Sequence, residues 1–127
     1  MAIFKKLTEG AMSISQLCMI HRDLKPANVM IDQKGELKII DFGYCEIFTA
    51  KKVMKTFNVG SPAYMSPEAY QRTLYSEKSD AWALAITLYE MLHGHTLDSG
   101  MDIKQYFEEL KNDPSFVEKR ISPSVSL

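Results

Sequence analysis

The sequence is poor in cysteine, carries almost no net charge and contains no long apolar run. Among its 127 residues are two cysteines, and because Cys18 and Cys45 follow no metal-ligand spacing, they predict free thiols in a reducing compartment. A net charge of -1 gives no general attraction to nucleic acid. The first residues lack the apolar stretch of a signal peptide, and the most apolar segment, AWALAITLYEML, contains Glu90 and is too short to cross a bilayer. We therefore expect an intracellular, cytoplasmic protein with no nucleic-acid partner and no membrane insertion.

A chain of this length suits one compact domain. Apolar residues recur at helical spacing from Ile3 to Leu17, which predicts an amphipathic helix. Two short apolar runs, VMID and LKIID, flank a turn that contains Gly35 and predict a β-hairpin. Residues 42–60 show no sustained periodicity and are predicted to form a long loop.

The strongest helix signal is the segment SEKSDAWALAITLYEMLHG. Ser76 is placed to cap its beginning and Gly94 to end it. Apolar residues surround its axis, which predicts a position in the middle of a core. A later helix with Ile103 and Leu110 on one face is predicted to stop before Pro114, and the final residues FVEKRISPSVSL are predicted to be a linker. The fold class predicted is mainly α with a short β-hairpin.

The stretch MIHRDLKPANVMID concentrates polar residues beside an apolar run. Asp23 and Asn28 lie in a loop before the predicted hairpin, and Asp41 follows its second strand. Because a hairpin brings the ends of its two strands together, Asn28 and Asp41 are expected to be neighbours. A carboxylate and an amide oxygen suit Mg²⁺ that carries phosphate oxygens. Asp23 is free to accept a proton and Lys25 to neutralise a phosphoryl group, so the set fits in-line phosphoryl transfer.

At this point the chain resembles the eukaryotic protein kinases. The strings HRDLKPAN, DFG, GSPAYMSPE and DAWALAITLYEML occur in the family's order and with family-like gaps. The catalytic-loop string is highly specific, and four strings in register make the resemblance strong. The fold implied is the large C-terminal lobe of the two-lobed α+β kinase domain, in an incomplete form.

The resemblance implies a catalytic and a nucleotide-binding role for residues of the polar stretch. Asp23 resembles the catalytic base, and Lys25 the lysine that bridges the γ-phosphate and the substrate hydroxyl. Asn28 and Asp41 resemble the Mg²⁺ ligands, and Met30 resembles the apolar floor beneath adenine. The cofactors implied are ATP and Mg²⁺.

Further positions match the structural and regulatory residues of the family. His21 and Phe42 are similar to packed regulatory-spine residues, with Gly43 completing the DFG string. Asp80 resembles the aspartate that holds the catalytic-loop backbone from the central helix. The lysine at position 25 indicates serine or threonine substrates.

The segment after DFG carries the regulatory signals. Ser61, in GSPAYMSPE, takes the place usually held by threonine and also indicates serine/threonine specificity. Arg22 resembles the arginine that binds an activation-loop phosphate, which suits bidentate guanidinium recognition. Thr56 is the predicted acceptor of that phosphate. Glu68 resembles a glutamate whose arginine partner has no counterpart here, which predicts a carboxylate without its ion pair.

By position, the chain divides into five parts of one partial kinase domain over residues 1–127. They are the catalytic loop 19–28, the hairpin 29–40, the activation segment 41–68, the central helix 77–93 and a further helix 101–111. The Gly-rich phosphate loop, the lysine on the α/β-phosphates and the helix glutamate of the small lobe have no counterpart in these residues. We therefore expect weak Mg²⁺-ATP affinity and an exposed lobe face available to a partner.

Simpler structural roles compete with several of these assignments. The catalytic-loop residues also suit a turn, Met30 and Phe42 suit a core, and position 56 suits an ordinary loop threonine. His93 and His95 fit helix-end residues better than metal ligands. Cys45 fits a buried, inert cysteine better than a reactive thiol.

The function predicted is a serine/threonine protein kinase that transfers phosphate from ATP to protein hydroxyls, present here as a C-lobe segment. The alternatives are a non-catalytic, kinase-derived binding or regulatory module, and a truncated product without function. The intact set of catalytic-loop residues favours the enzyme.

Overall fold

A computed structural model describes residues 2–47, 54–55, 60–72 and 74–121. The helices and strands follow in chain order: α1 (Ala2–Gln16), β1 (Met19–Ile20), β2 (Val29–Ile31), β3 (Leu37–Ile39), β4 (Glu46–Ile47), β5 (Met54–Lys55), α2 (Pro67–Arg72), β6 (Leu74–Tyr75), α3 (Glu77–His93), α4 (Ile103–Asn112) and α5 (Phe116–Arg120). Two short 3₁₀ turns cover Pro26–Asn28 and Pro62–Tyr64. The predicted fold class, mainly α with a short hairpin, is confirmed.

The first helix packs against the hairpin through its inner face. Leu7, Ala11 and Ile14 of α1 are buried, as the helical spacing predicted. Ile3 and Leu17, the first and last of the apolar residues at helical spacing, are exposed, because no described element covers them.

The predicted hairpin is present, and two further strand pairs were not predicted. Strands β2 and β3 are antiparallel with Val29 opposite Ile39. Strand β4 pairs with β1, and β5 pairs with β6. The prediction of one long loop over residues 42–60 was therefore wrong at β4 and β5, where two residues each form a strand. Such strands are too short to leave a period in the sequence.

The central helix α3 begins and ends where the sequence predicted. The Ser76 hydroxyl accepts a hydrogen bond from the backbone N–H of Lys78, and the Ser79 hydroxyl accepts one from the backbone N–H of Ser76. This reciprocal arrangement satisfies N–H groups that the helix leaves free. Gly94 ends the helix in the left-handed conformation, with φ of 81°.

The main core gathers side chains from α2, α3, α4 and α5. Its largest buried members are Tyr75, Tyr106 and Phe107, and the ring of Tyr70 stacks on Phe107 at 4.1 Å. Phe116 also belongs to this core, because residues Phe116–Arg120 form the short helix α5. The prediction of a linker from position 116 onward was wrong for these residues, since a five-residue helix shows too little periodicity to be recognised.

One face of α3 does not lie in the core. Trp82, Leu88 and Leu92 line an open apolar groove of about 290 Å³ together with Val117 and Ile121. The prediction that α3 lies in the middle of a core is thus correct for one face only, whereas the expected exposed apolar face is present. Within the part of the chain that the structure describes, none of the helices combines the length and apolarity needed to cross a membrane.

Candidate active site

The loop after β1 is fixed by a carboxylate on the first turn of α3. Asp80 accepts hydrogen bonds from the backbone N–H of His21 at 2.8 Å and of Arg22 at 3.1 Å. Burial raises the pKa of Asp80, and the two backbone donors act in the opposite direction. The bonds hold Arg22 in the left-handed conformation, with φ of 71°, which a non-glycine residue rarely adopts. Asp80 therefore holds the backbone of this loop from the central helix.

Asp23 lies at the centre of a group of polar side chains. It is 8 % exposed. The Asn28 side-chain nitrogen donates to its backbone oxygen at 2.8 Å and to its Oδ2 at 3.1 Å. The Ser61 hydroxyl donates to Asp23 Oδ1 at 3.3 Å, and Lys25 Nζ lies 3.7 Å from the same oxygen. Together these contacts fix the orientation of the Asp23 carboxylate.

Lys25 and Ser61 connect this group to the segment after DFG. Lys25 Nζ donates to the Ser61 hydroxyl at 2.7 Å. Ser61 follows Gly60, whose φ is 100°, and a Cβ at position 60 would lie 2.5 Å from the backbone oxygen of Arg22. Only glycine permits this approach. Gly60 was not predicted as a site residue, although its place at the head of GSPAYMSPE was a possible signal.

Asn28 and Asp41 are neighbours through the hairpin. The backbone N–H of Ile40 donates to the backbone oxygen of Asn28 at 2.9 Å, which places Asp41 beside the beginning of β2. Asp41 is exposed and adopts φ of 61°, and its Oδ1 is 3.4 Å from the backbone nitrogen of Gly43. The Asn28 amide nitrogen is used by Asp23, so its oxygen faces no described donor.

This pair of oxygens fits a divalent cation that arrives with phosphate. Mg²⁺ is commonly held in proteins by one or two side-chain oxygens, with phosphates and waters filling its other positions. Among the described residues there is no cluster of three or more His, Cys, Asp or Glu side chains that could hold a metal by themselves.

His21 links the catalytic loop to DFG. Its Nδ1 accepts a hydrogen bond from the backbone N–H of Asp23 at 3.1 Å, so its Nε2 carries the proton and donates to the backbone oxygen of Ile40 at 3.0 Å. The ring of Phe42 packs edge-on against His21 with centroids 5.0 Å apart. The two rings are thus in contact, and their role as regulatory-spine residues stays a prediction.

The two apolar residues expected near the nucleotide are not core residues. Met30 is 55 % exposed and Phe42 is 45 % exposed. The simpler interpretation of both as core was therefore wrong. Both side chains therefore leave apolar surface exposed, and the role of Met30 beneath adenine stays a prediction.

Arg22 has partners that the sequence did not reveal. Its side chain is 5 % exposed, and its Nη2 donates to Glu46 Oε1 at 3.2 Å. Its Nε donates to the backbone oxygen of Tyr44 at 2.6 Å, and the guanidinium lies over the ring of Tyr75 at 5.3 Å. The predicted phosphate acceptor, Thr56, lies outside the described residues.

Glu68 and Cys45 complete the sites named from the sequence. Glu68 is half-buried on the first turn of α2, and among the described residues no ion pair involves it.

Cys45 is half-buried rather than buried, and burial, followed by the charge of Asp80, raises the pKa of its thiol. A raised pKa suits an unreactive thiol.

The histidines at the end of α3 also have structural partners. His93 stacks on Tyr89 at 4.0 Å, and its Nδ1 lies 3.0 Å from the backbone oxygen of Tyr89. This placement agrees with the interpretation of His93 as a helix-end residue.

Comparison with known proteins identifies the family. The family model described as "Protein kinase domain" matches residues 1–124. The chain is 44 % identical over 94 residues to mitogen-activated protein kinase kinase 1 of Arabidopsis thaliana, which covers 73 % of the chain and 27 % of that protein. It is 37 % identical over 111 residues to serine/threonine-protein kinase atg1 of Dictyostelium discoideum, covering 85 % of the chain and 16 % of that protein.

A third relative matches more of the chain. Citron Rho-interacting kinase of Mus musculus is 32 % identical over 120 residues, covering 90 % of the chain and 6 % of that protein. The chain therefore belongs to the protein kinase family. It spans about a quarter or less of the length of these relatives.

Proposed function

We propose that the chain is the catalytic-loop half of a serine/threonine protein kinase, which transfers the γ-phosphoryl group of Mg²⁺-ATP to protein hydroxyls. The observation that carries the proposal is the group of polar side chains around Asp23. The Asp23 carboxylate contacts Asn28, Lys25 and Ser61, and Asp41 follows Ile40, whose backbone N–H donates to the backbone oxygen of Asn28. The family membership and the serine/threonine kinases among the relatives support it.

In this proposal Asp23 accepts the proton of the attacking hydroxyl. One of its carboxylate oxygens contacts Asn28 and the other contacts Ser61, so its orientation is set before a substrate arrives. A general base placed in this way contributes typically about 10²–10⁴-fold to a rate. Its partners hold the carboxylate in one orientation, so it is in place to receive the proton.

Lys25 places a positive charge beside the group being transferred. Its Nζ is shared between Asp23 and Ser61, a position from which it reaches both a γ-phosphate and a substrate hydroxyl. Mg²⁺, when bound at Asn28 and Asp41, supplies further neutralisation of phosphate charge. Exposed Met30 supplies the apolar surface for the adenine ring.

Substrates, partners and location follow from the same proposal. The substrate is a protein that presents serine or threonine, as Lys25 and Ser61 indicate. A partner covers the exposed lobe face, and the free cysteines fit the cytoplasm. The 127 residues contain no Gly-rich loop, so we expect weak nucleotide affinity from these residues alone.

The experiment measures Mg²⁺-ATP binding and phosphate transfer from ATP to a generic basic protein. The Asp23→Asn variant is expected to keep nucleotide binding and lose transfer, because it keeps the shape of the side chain and removes the base. Glu36→Gln, at an exposed position in the hairpin turn, is the matched control and is expected to behave as the wild type. Equal transfer by the wild type and Asp23→Asn would contradict the proposal.

The alternative function is a non-catalytic, kinase-derived regulatory module. The observation that favours it is the open apolar groove on α3, lined by Trp82, Leu88 and Leu92, which offers a docking face for a partner. The same assay decides between the two, since a module of this kind neither binds Mg²⁺-ATP nor transfers phosphate.

A further inference from the structure

The inference concerns Arg22 and the carboxylate that it holds. The Arg22 side chain is 5 % exposed, whereas that of Glu46 is 44 % exposed. A guanidinium withdrawn this far from water requires an anion and hydrogen-bond acceptors to offset its desolvation. Glu46 supplies a carboxylate at 3.2 Å, and the backbone oxygen of Tyr44 supplies an acceptor at 2.6 Å.

The position of Glu46 is fixed by the backbone. Strand β4 pairs with β1, and Glu46 lies opposite Ile20, near the beginning of the catalytic loop. The carboxylate therefore reaches Arg22 from a strand and does not depend on a flexible loop. The ring of Tyr75 covers the guanidinium from another side.

These contacts bear on how the base is positioned. The backbone of Arg22 is held by Asp80, and the next residue is Asp23. Arg22 thereby ties the segment that begins at DFG to the loop that carries the base. The Arg22 guanidinium needs an anion to keep this connection, and the Glu46 carboxylate already supplies that anion.

We propose that Glu46 is a built-in counter-ion for Arg22, a positioning residue that takes the place of a phosphate on the activation segment. The inference rests on the proposed function and names the regulation of the same site. Without any phosphorylation, Arg22 then holds the catalytic loop in the arrangement seen in the structure. A phosphate on the activation segment has to displace Glu46 before it reaches the Arg22 guanidinium.

The test measures hydrogen exchange at the backbone amides of Arg22 and Asp23, with and without inorganic phosphate. These amides donate to Asp80 and His21 and report the order of the loop. Glu46→Ala is expected to speed their exchange about tenfold, the equivalent of one lost charge-assisted hydrogen bond. Added phosphate is expected to restore slow exchange in Glu46→Ala and to leave the wild type unchanged.

Two further variants keep the result specific. Arg22→Gln combined with Glu46→Ala is expected to show fast exchange that phosphate does not slow, because the cation is gone. Glu36→Ala, an exposed carboxylate elsewhere, is expected to match the wild type. If the Glu46→Ala variant does not fold, Glu46→Gln replaces it, because glutamine keeps the side-chain volume. This variant is expected to exchange faster than the wild type at the amides of Arg22 and Asp23.

The inference is overturned if Glu46→Ala and Glu46→Gln exchange like the wild type, if phosphate slows exchange in the wild type as much as in Glu46→Ala, or if phosphate fails to rescue Glu46→Ala. Hydrogen exchange requires neither ATP nor turnover. A chain that fails the phosphate-transfer assay and passes this test would therefore disprove the proposed function alone.

Discussion

The Asn28 side-chain amide donates two hydrogen bonds to Asp23, one to its backbone oxygen at 2.8 Å and one to its carboxylate at 3.1 Å. Using the amide nitrogen in this way directs the amide oxygen elsewhere. In the proposed function, one residue thus orients the base and also offers an oxygen to a cation. An aspartate at position 28 could perform only the second task. This difference gives the first prediction.

Asn28→Asp is expected to destabilise the chain by about 2–4 kcal/mol, because a buried donor is lost and two carboxylates come into contact. Such a pair retains a proton more readily in the folded chain than in the unfolded chain. The free energy of unfolding of the variant is therefore expected to rise as the pH falls. Asn112→Asp makes the same change at an exposed position and is the control. Equal denaturant midpoints for the two variants would contradict the prediction.

Gly60→Ala tests the close approach of the two loops. Its Cβ would lie 2.5 Å from the backbone oxygen of Arg22, at a φ of 100°. The control is Gly100→Ala, at a φ of 81° with no atom within 4 Å, which is expected to cost about 1–2 kcal/mol from backbone strain alone. Gly60→Ala is expected to cost at least about 1 kcal/mol more, since a backbone must move. Chemical denaturation checks this, and equal costs would disprove the clash.

Ser61 is predicted to act through its hydroxyl. Ser61→Ala removes the bond to Lys25 at 2.7 Å and the bond to Asp23 at 3.3 Å. Phosphate transfer is expected to fall about 10–100-fold, the equivalent of one or two charge-assisted hydrogen bonds. Ser61→Thr keeps the hydroxyl and is expected to retain activity within about threefold of the wild type. If Ser61→Ala and Ser61→Thr lost phosphate transfer to the same extent, the size of the side chain would matter at this position and not its hydroxyl.

Tyr64 gives a prediction at alkaline pH. Its hydroxyl donates to Glu90 at 2.5 Å, and burial, followed by that hydrogen bond, raises the pKa of Tyr64 above its usual value of 10.0. The unfolded chain then loses this proton first, so the stabilisation is complete below pH 10 and declines as the pH rises toward the folded-state pKa.

Tyr64→Phe is therefore expected to flatten the decline of the unfolding free energy above pH 10. The change is a fraction of the one-proton limit of about 1.4 kcal/mol per pH unit, since the side chain is partly exposed and solvent screens it. Tyr44→Phe, which removes a hydroxyl at an exposed position, is the control. Identical pH profiles for the wild type and Tyr64→Phe would contradict the assignment.

Local signals allowed much of the fold to be predicted from the sequence. Ser76 and Gly94 mark the ends of α3 because capping depends on residues next to the helix itself. The hairpin was predictable for the same reason, since its strands and turn are contiguous. The exposure of Ile3 could not be predicted from the sequence, because burial depends on which other elements cover a face.

The composition of the site was predictable in part. Asp23, Lys25 and Asn28 lie within a single short string, and Asp41 follows the hairpin that this string begins. Glu46 was missed because it reaches Arg22 through a strand pair of two residues, which leaves no period in the sequence.

In the proposed function, Asn28 and Asp41 together hold a nucleotide-borne divalent cation beside Asp23. The most direct test adds Mn²⁺ and ATP to isotope-labelled chain and measures the paramagnetic broadening of its backbone NMR signals, which detects even weak binding. We expect broadening centred on residues 28 and 41 in the presence of ATP, and its loss in Asn28→Leu and in Asp41→Asn. Broadening centred elsewhere, or unchanged in both variants, would contradict the account.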